Sequence, residues 1–139
     1  MSLPCFHLAF PVHDLDLARK FYVNILGCKI GRYTDSWVDF DFFDNQITAH
    51  LKPNECYVIP TNEVNGKHVP VRHFGIVFRW SEWNSMVKDL KNKEISFYID
   101  PYIRFKGETG EQGTFFVSDP SNNMLEFKSF KNENQLFKR

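Results

Sequence analysis

Two segments of this 139-residue chain repeat one another in outline, and a duplicated unit restricts the fold more than any other feature. FHLAFPVHDLDLARKFYVNILG, beginning at Phe6, is echoed by RHFGIVFRWSEWNSMVKDLKNK, beginning at Arg72. Each opens with a histidine in a short apolar run, His7 in the first and His73 in the second. In both, a polar break follows, and then a stretch with helical spacing. Each half later closes with an apolar strand carrying one more side chain able to bind a cation: His50 in QITAHL and Glu126 in NMLEFK.

Local signals divide each half in the same way. CFHLAFPV is nearly continuous in apolar residues, as expected of a strand buried on both faces. Asp14 and Asp16 mark a helix start, Leu15, Ala18, Phe21, Tyr22, Ile25 and Leu26 follow at helical spacing, and Gly27 supplies a left-handed stop. CKIGRYT, SWVDFDFF and NQITAHLK are three further strands. In the second of them Trp37, Asp39 and Asp41 alternate with Val38, Phe40 and Phe42, and Asp44-Asn45 supplies the turn to the third. In the second half VRHFGIVFR is a strand, Ser81 is the expected N-cap, and EWNSMVKDLKNK is the helix. ISFYID is then a strand, residues 102–113 a loop, and GTFFVSD and NMLEFKSF a hairpin around DPSNN.

The expected fold is therefore α+β: one domain of two βαβββ repeats, about 4–52 and 71–130, forming a curved, mixed sheet around a metal-binding cleft. Residues 53–70, with three prolines, read as a connector, and the polar tail 131–139 is expected to fray.

Charged residues make up 24% of the chain and balance to zero, which gives no basic surface for nucleic acid and no polybasic membrane anchor. No run approaches the roughly 20 apolar residues of a membrane span, and no signal-peptide pattern opens the chain. Cys5, Cys28 and Cys56 are odd in number and lack CxxC spacing, so they read as reduced thiols of a cytoplasmic protein. Aromatic residues reach 17%, fifteen of them Phe, enough to fill a core and also to wall a pocket for a small-molecule substrate.

His7 and His73 sit in the first strand of each repeat, and His50 and Glu126 in the last. A lone histidine on a strand is more often a satisfied structural residue than a ligand, but four candidates at repeated positions point to a divalent metal. Imidazole and carboxylate without thiolate suit Fe(II), Mn(II), Ni(II), Co(II) or Zn(II), in the open coordination of catalytic rather than structural sites. Arg104, in the expected loop, is placed to hold a substrate carboxylate or phosphate. Gln112, Phe115 and Phe116 are the other candidates for substrate contact, and His13 and His68 read as solvated loop residues.

The motifs HLAFPVHDLDLARKFYVNILGC and GTFFVSDPSNNMLEFK resemble the vicinal oxygen chelate superfamily, over roughly residues 4 to 130. That superfamily includes glyoxalase I, fosfomycin- and bleomycin-resistance proteins and extradiol dioxygenases. WVDFDFF, HVPVRHFG and IRFKGETGEQGTFF are most similar to small predicted extradiol-type dioxygenases. The family's glycine after DPS is Asn122 here, a residue that also enters left-handed conformations.

The resemblance implies that His7, His73 and Glu126 ligate a metal, with Fe(II) favoured, and that His50 is an acid–base catalyst or fourth ligand. It implies a dioxygenase-like enzyme chelating vicinal oxygens of a small substrate. The alternatives are a glyoxalase-type isomerase or lyase, and a metal-free binder of aromatic ligands. Ring-cleaving members carry a substrate-contacting tyrosine where this chain has Phe116. The fold is compatible with a homodimer in which the repeats exchange between chains.

Overall fold

The computed structural model describes residues 3–139. They form two compact units, residues 3–59 with Asp119–Asn123, and Pro60–Ser118 with Met124–Arg139. No helix among the described residues is long and apolar enough to cross a membrane.

The first unit holds β1 (His7–Val12), α1 (Leu15–Arg19), β2 (Lys29–Tyr33), β3 (Trp37–Phe42) and β4 (Asn45–Leu51). Its sheet runs β1-β4-β3-β2, with β1 parallel to β4 and the remaining pairs antiparallel. Asp14 caps α1 by accepting a hydrogen bond from the Leu17 N–H at 2.9 Å. The helical path continues as a π-helical segment, Lys20–Ile25, and ends at Gly27 with φ +80°, the left-handed stop expected there. Alternation decides what is buried: Phe10 and Val12, Val38, Phe40 and Phe42, and Ile47 and Ala49 form the core with Phe21 and Tyr22. The opposite face of this sheet carries His7, Trp37, Asp39, Gln46, Thr48 and His50. The β3–β4 connection turns at Phe43 and Asp44, φ +51° and +69°, one residue earlier than the expected Asp44-Asn45.

Asp119 locks the DPSNN turn, which belongs to the first unit. Its carboxylate accepts from the Ser121 and Asn123 N–H groups, from the Asn123 side chain at 2.8 Å and from the Tyr22 hydroxyl at 2.9 Å. Asn122 takes φ +67°, the left-handed conformation that its replacement of glycine requires. Asp119→Ala would leave the buried Tyr22 hydroxyl without its acceptor. An expected loss of about 3 kcal/mol follows, readable as a lower urea midpoint at unchanged slope. Burial pushes the Cys28 thiol up to about 12. In native protein Cys28 should therefore resist alkylation at pH 8 while the exposed Cys5 reacts, and unfolding should release it.

The second unit repeats the plan as β7 (Phe74–Phe78), α2 (Trp80–Asn92), β8 (Ile99–Arg104), β9 (Gln112–Ser118) and β10 (Met124–Phe130). Its sheet order is β7-β10-β9-β8, again with one parallel pair, β7 and β10. The repeat is thus a repeat of topology, and the α+β class is as expected. Helix α2 starts before Ser81, with the Arg79 N–H bonded to Glu82 Oε1 at 3.2 Å. Trp83 fixes the helix to the sheet: its indole N–H donates to the Phe127 carbonyl at 2.9 Å, and its ring lies over Gly113.

Three expectations change in this unit. The connector contains a β-hairpin, β5 (Thr61–Val64) and β6 (Lys67–Pro70), turned by Asn65 and Gly66 at φ +49° and +78°. Strand β8 runs Ile99–Arg104, sharing only the last two residues of ISFYID and extending into the expected loop, because an irregularity between Ile99 and Tyr102 accommodates Pro101 and lets Tyr102 and Arg104 pair with Thr114 and Gln112. The tail is tied at its start, where the Lys131 N–H meets the Glu111 carbonyl at 3.0 Å and Gln135 Oε1 accepts from the Gly110 N–H at 2.7 Å.

Candidate functional site

The register of the second unit assembles a polar face from alternate residues. Gly75, Glu126 and Phe116 lie in one row, and Val77, Lys128, Thr114 and Tyr102 in the next. Arg104, Gln112 and Phe130 form a third. His73 stands just before β7, with its Nε2 3.4 Å from Glu126 Oε1. Its Nδ1 lies 2.7 Å from the Pro70 carbonyl, which can only accept, so Nδ1 carries a proton, and Nε2 is the nitrogen turned to Glu126, donating to it when the ring is protonated. Phe116 packs edge-on against the imidazole, ring centroids 5.0 Å apart.

Glu126 is held from its other side. Thr114 donates its hydroxyl to Oε2 at 2.7 Å, which leaves Oε1 to His73 and to Lys128, whose Nζ is 3.9 Å away. Burial works to raise the Glu126 pKa, but the hydrogen bonds from His73 and Thr114 and the charge of Lys128 outweigh it and hold the carboxylate below its ordinary value. The hydrogen bond to Glu126 raises His73 in turn, against the lowering effect of burial. An imidazole nitrogen and an ionised carboxylate oxygen, each fixed by a partner behind it, are a donor pair suited to a borderline divalent metal. Among the described residues no group of three or more His, Cys, Asp or Glu side chains converges to hold an ion.

The first unit places its candidates differently. His7 pairs with Gln46 across β1 and β4, whereas His50 pairs with Pro11 and Trp37. Four residues of strand, about 13 Å, therefore separate His7 from His50 along the sheet. In the second unit Glu126 faces Gly75, two residues beyond His73. Two residues beyond His7 is Ala9, and its partner is Thr48. By register, Thr48 lies opposite the residue two beyond His7, as Glu126 lies opposite the residue two beyond His73, and His50 stands two residues farther along β4. Thr48 donates to Asp39 Oδ1 at 2.6 Å, and Gln46 donates to Asp39 Oδ2 at 3.3 Å. A cavity of about 780 Å³ opens beside Asp39, Asp41 and Gln46, and neither His7 nor His50 lines it.

Of the expected substrate contacts, Phe116, Gln112 and Arg104 share the face of Glu126. Phe115 does not. It is fully buried on the helix side, against Trp83, Phe97 and Phe127, because neighbouring strand residues point to opposite faces. Thr114, Lys128 and the Pro70 carbonyl were missed. The alternation of β9 and β10 places Thr114 and Lys128 beside Glu126 only once the two strands are in register.

A family profile described as Glyoxalase/Bleomycin resistance protein/Dioxygenase superfamily matches residues 5–127. No curated protein sequence matches the chain. Among solved structures, a glyoxalase/bleomycin resistance protein/dioxygenase from Alicyclobacillus acidocaldarius is similar at 39% identity and TM-score 0.80, covering 99% of this chain and 100% of that one. The fosfomycin resistance protein FosX from Listeria monocytogenes shares the fold at 18% identity and TM-score 0.68, over 98% of this chain and 100% of its own. Lactoylglutathione lyase from Agrobacterium tumefaciens does so at 18% identity and TM-score 0.64, over 100% of this chain and 98% of its own. The duplicated topology and a match spanning nearly every element agree: this chain belongs to the glyoxalase/bleomycin resistance/dioxygenase superfamily, the vicinal oxygen chelate proteins.

Proposed function

We propose that the chain is a metal-dependent enzyme that binds a small, oxygen-rich substrate at a divalent ion held by His73 and Glu126, with His7 of a second copy as third ligand. The supporting observation is the 3.4 Å pair of His73 Nε2 and Glu126 Oε1, each braced from behind by Pro70 and Thr114. When bound, the metal supplies Lewis acidity toward substrate oxygens. The protein's own part is positional. The Pro70 carbonyl sets the imidazole tautomer, Thr114 fixes the carboxylate plane, and Phe116 covers one side of the imidazole with an apolar edge.

Reactions that polarise a substrate without consuming oxygen, as an isomerase, lyase or addition enzyme does, are favoured over ring cleavage. Phe116 has no hydroxyl to offer a catecholate oxygen, and His50 stands opposite Pro11 and Trp37 rather than opposite Ala9. The test uses protein reconstituted in turn with Fe(II), Mn(II), Ni(II), Co(II) and Zn(II). Turnover of a hydroxy- or keto-acid, epoxide or hemithioacetal panel without oxygen uptake is expected. Oxygen consumption on catechols with Fe(II) would return the assignment to a dioxygenase.

Co-expression of His7→Ala with Glu126→Ala chains tests the third ligand. Each variant alone should lose the metal, and the mixed dimer should regain one site in two. Failure of the mixture to recover metal would reject donation by a second copy.

Thr114→Val removes the brace on Glu126 at nearly unchanged volume. It should weaken metal binding by about tenfold with little change in fold, measured by competition with a chromophoric chelator.

A further inference from the structure

We propose that the face beside His73 and Glu126 carries a subsite for an oxyanion, a carboxylate or a phosphate or phosphonate group, borne by the substrate and held by Lys128, Arg104 and Lys67. For the claim that the anion belongs to a substrate the inference rests on the metal-enzyme reading; the binding itself does not depend on it.

The charge arrangement carries the argument. Across the rows that the register fixes on this face, from His73 through Gly75, Glu126, Lys128, Thr114, Tyr102, Gln112 and Arg104, Glu126 is the single carboxylate. Both its oxygens are engaged, one by Thr114 and the other by His73 and, at 3.9 Å, by Lys128. Against that one committed anion stand three cations. Lys128 is in the row next to Glu126, and its side chain is only 32% exposed. Lys67, on the hairpin β5–β6, puts its Nζ 5.1 Å from the ring centre of Tyr102, in the same row as Lys128. Arg104 is one row farther along β8, its guanidinium carbon 4.9 Å from the Phe105 ring centre. A divalent ion at His73 and Glu126 would add two more positive charges to a face that has already spent its negative one. Lys128 and Arg104 are partly withdrawn from water while Lys67 is exposed, and an anion among such cations stabilises them far better than they do one another.

A second observation is independent of the charge count. The Arg104 Nε–H is buried and has no hydrogen-bond partner among the described residues. A buried guanidinium donor left unmade is costly, and a planar fork of this kind is suited to two oxygens of one carboxylate or phosphate. Exposed lysines alone would be a solvated surface. Here the lysine beside the candidate metal ligand and the arginine next along the face are both withdrawn from water, and the aromatic rings of Tyr102, Phe105 and Phe130 wall the space around them. An oxyanion seated on Lys128 lies within one small molecule's length of Glu126 Oε1, since Lys128 Nζ is 3.9 Å from that oxygen. A substrate gripped by its anionic end there presents its other oxygens to the metal ligands.

The experiment titrates inorganic phosphate, methylphosphonate and acetate, at constant ionic strength held with chloride, into wild type and into Lys128→Met, Lys128→Arg and Arg104→Gln. Binding is followed by calorimetry, with and without one equivalent of Zn(II), and metal affinity is measured separately on each protein. Wild type should bind at least one oxyanion probe. Lys128→Met and Arg104→Gln should each weaken it by about tenfold or more while retaining the metal, and Lys128→Arg should recover most of the loss. Preference for phosphate and methylphosphonate over acetate, or the reverse, identifies the oxyanion. Wild type that binds none of the three, or variants that bind as wild type does, would overturn the subsite even if the metal site is sound. Wild type that holds no metal yet loses oxyanion binding in the variants would instead overturn the proposed function and leave the subsite standing.

Discussion

Gly75→Ala is expected to unfold the second unit or drive strands β7 and β10 apart, at a cost above about 4 kcal/mol, a large share of the total stability of a domain of this size. A methyl group at Gly75 would overlap the Glu126 carbonyl oxygen and crowd the carbonyl carbon at 2.6 Å. That neighbour is backbone inside a parallel ladder, so no side-chain rotation relieves the overlap. The absent side chain serves the site as well, because Gly75 sits directly opposite Glu126 and two residues from His73. Urea denaturation should show a sharply lowered midpoint or no cooperative transition. Gly113→Ala is a useful comparison. Its methyl would meet Trp83 ring carbons at 2.7 to 2.9 Å, and the ring is pinned by its bond to the Phe127 carbonyl, so a smaller but clear loss is expected on the opposite face.

Glu126→Ala carries the largest expected effect on function. It removes the anionic member of the donor pair, frees the Thr114 hydroxyl in a buried position and leaves His73 Nε2 facing no acceptor. Outer-shell partners of metal ligands are worth about 10- to 100-fold in affinity, and loss of a direct anionic ligand should exceed that range. Metal affinity is therefore expected to fall by more than about 100-fold and turnover to disappear with it. Glu126→Gln keeps the volume and separates loss of charge from loss of fold: its stability should stay close to wild type, and its metal binding should not.

The duplicated topology was legible because each half repeats an apolar strand, a capped helix and three strands in the same order, and because alternation such as Trp37, Asp39, Asp41 against Val38, Phe40, Phe42 fixes which face is core. Register was not legible. A displacement of two residues leaves every side chain on its own face, so nothing in QITAHL says whether His50 or Thr48 lies opposite the residue two beyond His7 until β1 is laid against β4. Phe115 and Phe116 pose the same problem at a spacing of one. Adjacent residues in a strand must part to opposite faces, and only the pairing of Phe116 with Glu126 says which goes where. The hairpin β5–β6 did leave a signal, Asn65-Gly66, the pair best suited to a tight two-residue turn, but the prolines around it made the segment read as a connector. The pair of His73 and Glu126 was reachable from the sequence through the repeat. Its bracing by Pro70 and Thr114 was not, since both partners become neighbours only through the fold.

Equilibrium dialysis of wild type, His73→Ala and Glu126→Ala against Zn(II) or Ni(II), with elemental analysis of the retained protein, tests whether His73 and Glu126 hold a metal. Close to one metal per chain is expected in wild type and almost none in either variant, at far-ultraviolet circular dichroism matching wild type. Metal retained equally by all three proteins, or by none, would contradict that expectation.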